Sequence, residues 1–188
     1  MVDAFASCGE DVLLGHPSVV RYPELVEVGS HVAIDAFFYC TTAMRLGDYV
    51  HIGPHVSVIG GREALLRMGH FTNIAAGGRI ICASDQFQGA GLIGPGPVIP
   101  EAYRDQVRCE PVVLEDFVNL GSNCVVLPGC RLSQGTVLGA GSLLPAGTRT
   151  RPWTIYVGTP ARPVKRREHA HMLRYARKMG YAVELECE

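Results

Sequence analysis

The run Leu114-Glu-Asp-Phe-Val-Asn-Leu120-Gly-Ser-Asn-Cys-Val-Val126-Leu-Pro-Gly-Cys-Arg-Leu132-Ser-Gln-Gly-Thr-Val-Leu138-Gly-Ala-Gly-Ser-Leu-Leu144 places an aliphatic residue at every sixth position. A second series does the same upstream: Val28, Ile34, Cys40, Leu46, Ile52 and Val58, with Cys40 its one non-aliphatic member. Met68, Ile74 and Ile80 continue that series after a step of ten. A period of six is neither the 3.6 of a helix nor the simple alternation of a strand. It marks a chain that turns a corner every six residues, three units making a triangular coil of about 18. Stacked coils bury the slot residues in one continuous core, and no coil is stable alone.

Two further positions repeat with the slot. The residue after it is often glycine, as at Gly29, Gly47, Gly53, Gly69, Gly121 and Gly139, which predicts tight corners with positive φ there. Two residues before it lies a small or β-branched side chain: Val26, Val32, Val50, Val56, Val118, Cys124 and Thr136. The rhythm breaks twice. Gly60 to Arg67 holds four extra residues, and a longer break runs from about Gln86 to Cys109, rich in Gly and Pro. A long ordered loop on a rigid scaffold is commonly functional. After Thr150 the pattern ends, and Val164 to Met179 has the composition of a basic helix stopped by Gly180. Such a helix is expected to cap the open end of the stack. The organisation is therefore a coil domain over 1–160, with a loop at about 86–109, and a basic helical tail over 161–188.

Composition removes several function classes. Lys+Arg number 17 against 18 Asp+Glu, a formal net charge of −1, which gives no support for a nucleic-acid partner. No apolar run is long enough to span a membrane, and a cytoplasmic protein is expected. The seven cysteines, Cys8, Cys40, Cys82, Cys109, Cys124, Cys130 and Cys187, are scattered and contain no Cys-x-x-Cys. They read as core packing, not as a disulfide framework or zinc ribbon.

The paired runs Leu120-Gly-Ser-Asn-Cys-Val-Val-Leu-Pro-Gly and Leu138-Gly-Ala-Gly-Ser-Leu-Leu-Pro-Ala-Gly, followed by Ile155-Tyr-Val-Gly-Thr-Pro-Ala-Arg-Pro-Val, resemble the hexapeptide-repeat acyltransferases. The likeness covers about residues 10 to 168. It is nearest the sugar O-acyltransferases of bacterial polysaccharide pathways and the galactoside and maltose O-acetyltransferases. It implies an all-β fold, a left-handed parallel β-helix, as an exception to right-handed crossovers. It also implies a homotrimer with acetyl-CoA in grooves between subunits, and no metal. The loop after Ala83-Ser-Asp-Gln-Phe87 resembles the Ser-Asp-Asp-Tyr loop of one branch of sugar acetyltransferases.

Acyl transfer to a hydroxyl needs a base for its proton, and histidine suits neutral pH. The resemblance places Asp85 where the galactoside branch carries its catalytic histidine, a departure in this chain. His51 comes one residue before its slot in the acceptor region of the relatives. We therefore expect His51 as the base, with Asp85 supporting it, across a subunit interface if need be, and His55 as an acceptor contact or second candidate base. His16, His31 and His70 occupy ordinary turn positions, and His169 and His171 fall on the tail. For the cofactor the resemblance points to backbone amides at Ser122 and Ala140, and to Arg162 and Lys165 for the CoA phosphates. Asn119 stands where relatives commonly carry tryptophan. Tyr103, Arg104 and Arg108 of the loop are candidates for a sugar or its nucleotide diphosphate. The expected activity is acetyl-CoA-dependent acetylation of a sugar hydroxyl. N-acetylation of a sugar nucleotide, a γ-type carbonic anhydrase and a non-catalytic β-helix subunit stand as alternatives. A solvent-facing corner remains the plain reading of His51, and a turn-forming residue that of Asp85.

Overall fold

The computed structural model describes residues 2–94 and 98–183. Short parallel strands wind into a β-solenoid of about seven turns. Their registers reproduce the six-residue rhythm as three vertical columns. In the first, Cys8, Val28, Leu46, Met68, Leu114 and Leu132 lie one above another. The second stacks Leu14, Ile34, Ile52, Ile74, Leu120, Leu138 and Tyr156. The third stacks Val20, Cys40, Val58, Ile80, Val126 and Leu144. From Val28 onward nearly all these slots are 6% exposed or less, and they form one core. Tyr156 extends the second column, so the coil continues past Thr150 for another side.

Both breaks have structure. Gly60 to Arg67 belongs to one long strand, Ser57–Met68, whose register against Tyr39–Leu46 slips at two points to absorb the extra residues. The longer break opens at Ala83–Asp85, which pairs antiparallel with Val107–Cys109 to make a stem. The step from Met68 to Leu114 is thus 46 residues, where an undisturbed coil takes 18. Pro95, Gly96 and Pro97 of this loop lie outside the described residues.

The glycines after the slots do not take positive φ. The left-handed residues lie three before the slots instead: His31, Tyr49, Phe71, Phe117 and Trp153 at one corner, and Phe37, His55, Gly77, Asn123 and Gly141 at the next. Glycine follows the slot for another reason. A Cβ on Gly121 would sit 2.5 Å from the Ala140 nitrogen in the coil below, and one on Gly29 would sit 2.7 Å from backbone of Gly47. Strand stacking at about 4.8 Å leaves no room there.

The tail differs from expectation. Ala161–Arg166 is a strand, antiparallel to Thr154–Gly158, and the helix is shorter, Ala170–Lys178. It lies against the flank of the solenoid, not across its end. A ladder of stacked rings at the first corner explains this: His31 on Tyr49, Tyr49 on Phe71, Phe71 on Phe117, at centroid distances of 4.7, 5.2 and 5.1 Å. Phe117 then meets Trp153, and Trp153 meets His169 at 4.7 Å. Leu173, Ala176 and Val183 bury themselves against this apolar ridge. His31, His70 and His169 are therefore packed or bonded, not simply solvated. Residues 184–188 of the tail, with Cys187, lie outside the described residues.

Tyr181 finishes the docking by donating its hydroxyl to Asp48 Oδ2 at 2.8 Å. The Ser30 N–H, which donates to Asp48 Oδ1 at 2.7 Å, holds that carboxyl below the usual carboxylate range, helped by Tyr181 and His70. A depressed carboxylate contributes stability above its unfolded pKa and loses it as pH falls through the folded one. Protection of the tail amides against hydrogen exchange, taken relative to the intrinsic rate at each pH, should therefore be high at neutral pH and should fall below pH ~4. Asp48→Asn should flatten that pH dependence, and an unchanged profile would remove Asp48 as its origin.

Four cysteines pack as expected: Cys40, Cys82, Cys124 and Cys130 are buried, whereas Cys8 and Cys109 are exposed. Burial pushes the Cys40 and Cys82 thiols up to about 11 and about 12, so neither is a thiolate near neutrality.

Candidate functional site

The three corners of the solenoid treat their backbone amides differently. At the first corner, two residues past the slot, side chains cap the N–H groups. Ser30 N–H donates to Asp48, Asp48 N–H to His70 Nδ1, His70 N–H to Asp116, and Gln134 N–H to Glu115, all at 2.7–2.9 Å. At the second corner the N–H groups of the equivalent residues Ala36, Ala76, Ser122 and Ala140 have no acceptor among the described residues, the last three running without interruption. All three are at least partly exposed. Partly exposed amides without partners, repeating at the coil spacing, form a line of donors suited to a long chain of carbonyls. Ser122 and Ala140 are the two expected from sequence; Ala76 extends the line, and its signal was its place two residues after Ile74. Pro54, with no N–H, interrupts it before Ala36.

The other end of the line reaches basic residues. Gly158 N–H donates to Ser142 Oγ, and Thr159 Oγ1 to the Gly141 carbonyl, so the final turn folds over this corner. The exposed Arg162 and Lys165 follow on the returning strand, opposite Val157 and Ile155.

His51 projects from the second flat face. Its Nε2 lies 3.0 Å from Asp35 Oδ2, and its Nδ1 lies 2.9 Å from Asn73 Oδ1. Both neighbours are oxygens, so each ring nitrogen meets its partner as a donor when it carries the proton, and the tautomer sets which contact is the hydrogen bond. Both ring nitrogens are thus occupied. Within one chain the carboxylate on His51 is Asp35, and no contact joins His51 to Asp85 among the described residues. Sequence reading passed over Asp35. Its signal was that it follows a slot in a row otherwise made of Gly15, Gly53, Ala75, Gly121, Gly139 and Val157.

His55 turns at the second corner itself, with φ 59°. Its ring stacks on Phe37 at 4.6 Å with 5° between planes. Arg79 fixes this bend by donating to the carbonyls of His55, Gly77 and Gly78 at 2.6–3.2 Å.

Asp85 lies beyond the third corner, at the base of the loop stem. It lines a pocket of about 290 Å³ with Phe87, Arg108, Pro128 and Ala146. Arg108 makes a two-pronged pair with Glu110, both bonds 3.0 Å; this partner raises its pKa further and keeps the guanidinium against the pocket wall. Tyr103 and Arg104 sit elsewhere on the loop, where Arg104 bridges to Leu92 and Tyr103 is exposed. They do not line this pocket. Asn119, in the place of tryptophan, donates to the Phe117 carbonyl and joins a second apolar hollow beneath the helix. A wider groove, about 630 Å³, is on the first face, where Glu27 pairs with Arg45 and Glu115 with Arg131. The amides along its edge are the capped ones, so it offers no comparable donor line. Among the described residues no group of three or more His, Cys, Asp or Glu gathers to hold a metal ion, and no helix is long and apolar enough to cross a membrane.

One corner of open amides running to a basic strand is a surface whose chemistry suits an extended, anionic ligand. Comparison with known proteins agrees. No family model matches the chain. The chain is 28% identical to AntD, an N-acyltransferase from Bacillus cereus, solved with dTDP and coenzyme A. The two superpose with a TM-score of 0.86 over 93% of this chain and 90% of that one. WbbJ of Escherichia coli K12, named as a lipopolysaccharide biosynthesis O-acetyl transferase, is 29% identical over 80% of this chain and 73% of its own length. A 2,3,4,5-tetrahydropyridine-2,6-dicarboxylate N-acetyltransferase of Staphylococcus aureus is 35% identical over 81 residues. That match takes in 41% of this chain and only 29% of the relative's length. VCA0836, a hexapeptide-repeat acetyltransferase of Vibrio cholerae, shares the fold at TM-score 0.57 and 21% identity. In sequence and in fold the chain is similar to hexapeptide-repeat acyltransferases.

Proposed function

We propose that this protein transfers an acyl group, acetyl in the simplest case, from coenzyme A to a sugar or nucleotide-linked sugar. The observation that carries this reading is the line of unpaired amides at Ala76, Ser122 and Ala140. A pantetheine arm presents amide carbonyls at intervals along an extended chain and pairs naturally with such donors. Arg162 and Lys165, at the far end, meet its phosphates. Direct transfer in a ternary complex needs positioning and a proton acceptor, without a metal or covalent intermediate. AntD has been solved with dTDP and 3-hydroxybutyryl-CoA, which supports a nucleotide-linked acceptor and leaves room for longer acyl groups.

In this reading His51, held by Asp35 and Asn73, faces the acceptor. Asp85 and the stem pocket reach the same site from the third corner of a neighbouring subunit in a homotrimer. Tyr103 and Arg104 of the loop then contact the acceptor's nucleotide across that interface. Whether the acceptor atom is a hydroxyl oxygen or an amine nitrogen follows from the acceptor, since the same geometry serves both. The deciding experiment is thiol release from acetyl-CoA across a panel of sugars, amino sugars and their nucleotides, with light scattering for the trimer. No release with any acceptor, together with no CoA binding, leaves a non-catalytic solenoid. His51→Ala is expected to lower kcat/KM for the acceptor by about a hundredfold or more while CoA affinity stays near wild type; near-normal kinetics would take His51 out of the site.

A further inference from the structure

We infer that the proton acceptor is His55, while His51 serves to hold the acceptor; the inference rests on the acyl-transfer reading above and names the catalytic group within it. Three observations converge on His55. The donor line at the second corner runs upward without a break through Ala140, Ser122 and Ala76 and is interrupted at Pro54, the residue directly before His55. A pantetheine arm following that line delivers its sulfur end to His55, not to the middle of the flat face. Neither ring nitrogen of His55 has a partner among the described residues, although its ring is held against Phe37 at 4.6 Å. His51, in contrast, has Asp35 on one nitrogen and Asn73 on the other.

Directly below His55 in the corner row is Gly77, which has no side chain, and the row resumes only at Asn123, whose Oδ1 reaches toward the gap. The ladder at the first corner also has a glycine, Gly135, but there the Trp153 ring fills the space. At Gly77 the space is taken by the Asn123 side chain, so beneath His55 stands a small polar group where the first corner has an aromatic ring. The charged group facing this bend is Arg79, whose guanidinium is fixed on the carbonyls of His55, Gly77 and Gly78.

The step balances simply. A ring nitrogen of His55 takes the proton of the acceptor N–H or O–H as the acceptor atom bonds to the thioester carbonyl carbon. The tetrahedral adduct collapses, the C–S bond breaks, and the departing thiolate takes the proton back from the imidazolium as free CoA thiol. The sugar leaves as its amide or ester and the imidazole returns neutral.

Asparagine tolerates positive φ, so His55→Asn keeps the φ 59° corner and tests the ring alone. It is expected to lower kcat by roughly two to four orders of magnitude, to leave the dissociation constant for CoA unchanged, and to erase the acid limb of the pH–rate profile. His51→Asn, though slow, is expected to keep that limb. An acid limb that survives in His55→Asn and vanishes in His51→Asn overturns the assignment and leaves the acyl-transfer reading intact. A wild-type chain that releases no thiol with any acceptor overturns both.

Discussion

A Ser122→Pro/Ala140→Pro double variant is expected to fold normally and to bind coenzyme A about a hundredfold more weakly. Proline removes one N–H at each position and nothing else that the fold uses, because neither N–H has an acceptor within the chain. The corner itself provides the precedent. Pro54 occupies the same place two residues past Ile52, in the coil that lies below Asp35, a residue that carries a Cβ. Ser122 lies below Ala75 in the same relation. A hydrogen bond is worth about 1 to 1.5 kcal/mol net, so each lost donor costs about a factor of ten and the two together about a hundred. Calorimetry with CoA reads the affinity and circular dichroism reads the fold. If the folded double variant binds as tightly as wild type, the cofactor does not lie along this corner.

Leu120→Ala is expected to destabilise the chain by about 2 to 5 kcal/mol. Leu120 is 1% exposed and stands in the second column between Ile74 and Leu138. The solenoid has one continuous core, and each coil contacts only its neighbours. A cavity in a middle coil weakens two interfaces together, and strands held by the ladder above and below cannot collapse into it. Leu13→Ala, at a residue 70% exposed on the outer side, should stay within about 0.5 kcal/mol. Urea unfolding of the two variants makes the comparison, and equal losses would contradict the column assignment.

The legible part of this protein was whatever repeats. The slots at Leu120 and Leu138 pair in the structure as their spacing implied, because inward side chains obey one local rule in every coil. Small residues such as Cys124 and Thr136 lie inside for the same reason. The glycines were found for the wrong cause. Gly121 answers to the coil below it, a neighbour 18 residues away, and not to its own φ. The strand at Ala161–Arg166 was misread as helix because its partner, Thr154–Gly158, is tertiary context and not composition.

The site divides along the same line. Ser122 and Ala140 were visible as candidates because a repeat of position implies a repeat of amide. Their freedom was not, since only the folded coils show Asp48, His70, Asp116 and Glu115 capping one corner and no group capping Ala76, Ser122 or Ala140 at the next. Histidines at 51 and 55 look alike in sequence, both beside a coil edge. Stacking puts Asp35 and Asn73 on the first, and on the second an aromatic ring with no hydrogen-bond partner for either ring nitrogen among the described residues. The sequence by itself determined the coil, its core and the direction of its backbone donors, because these follow from a period of six applied residue by residue. The tertiary structure alone decided which amides stay open, which imidazole keeps a free lone pair and where the tail lies. Each of those depends on side chains about 18 or more residues apart, brought together only when the coils stack.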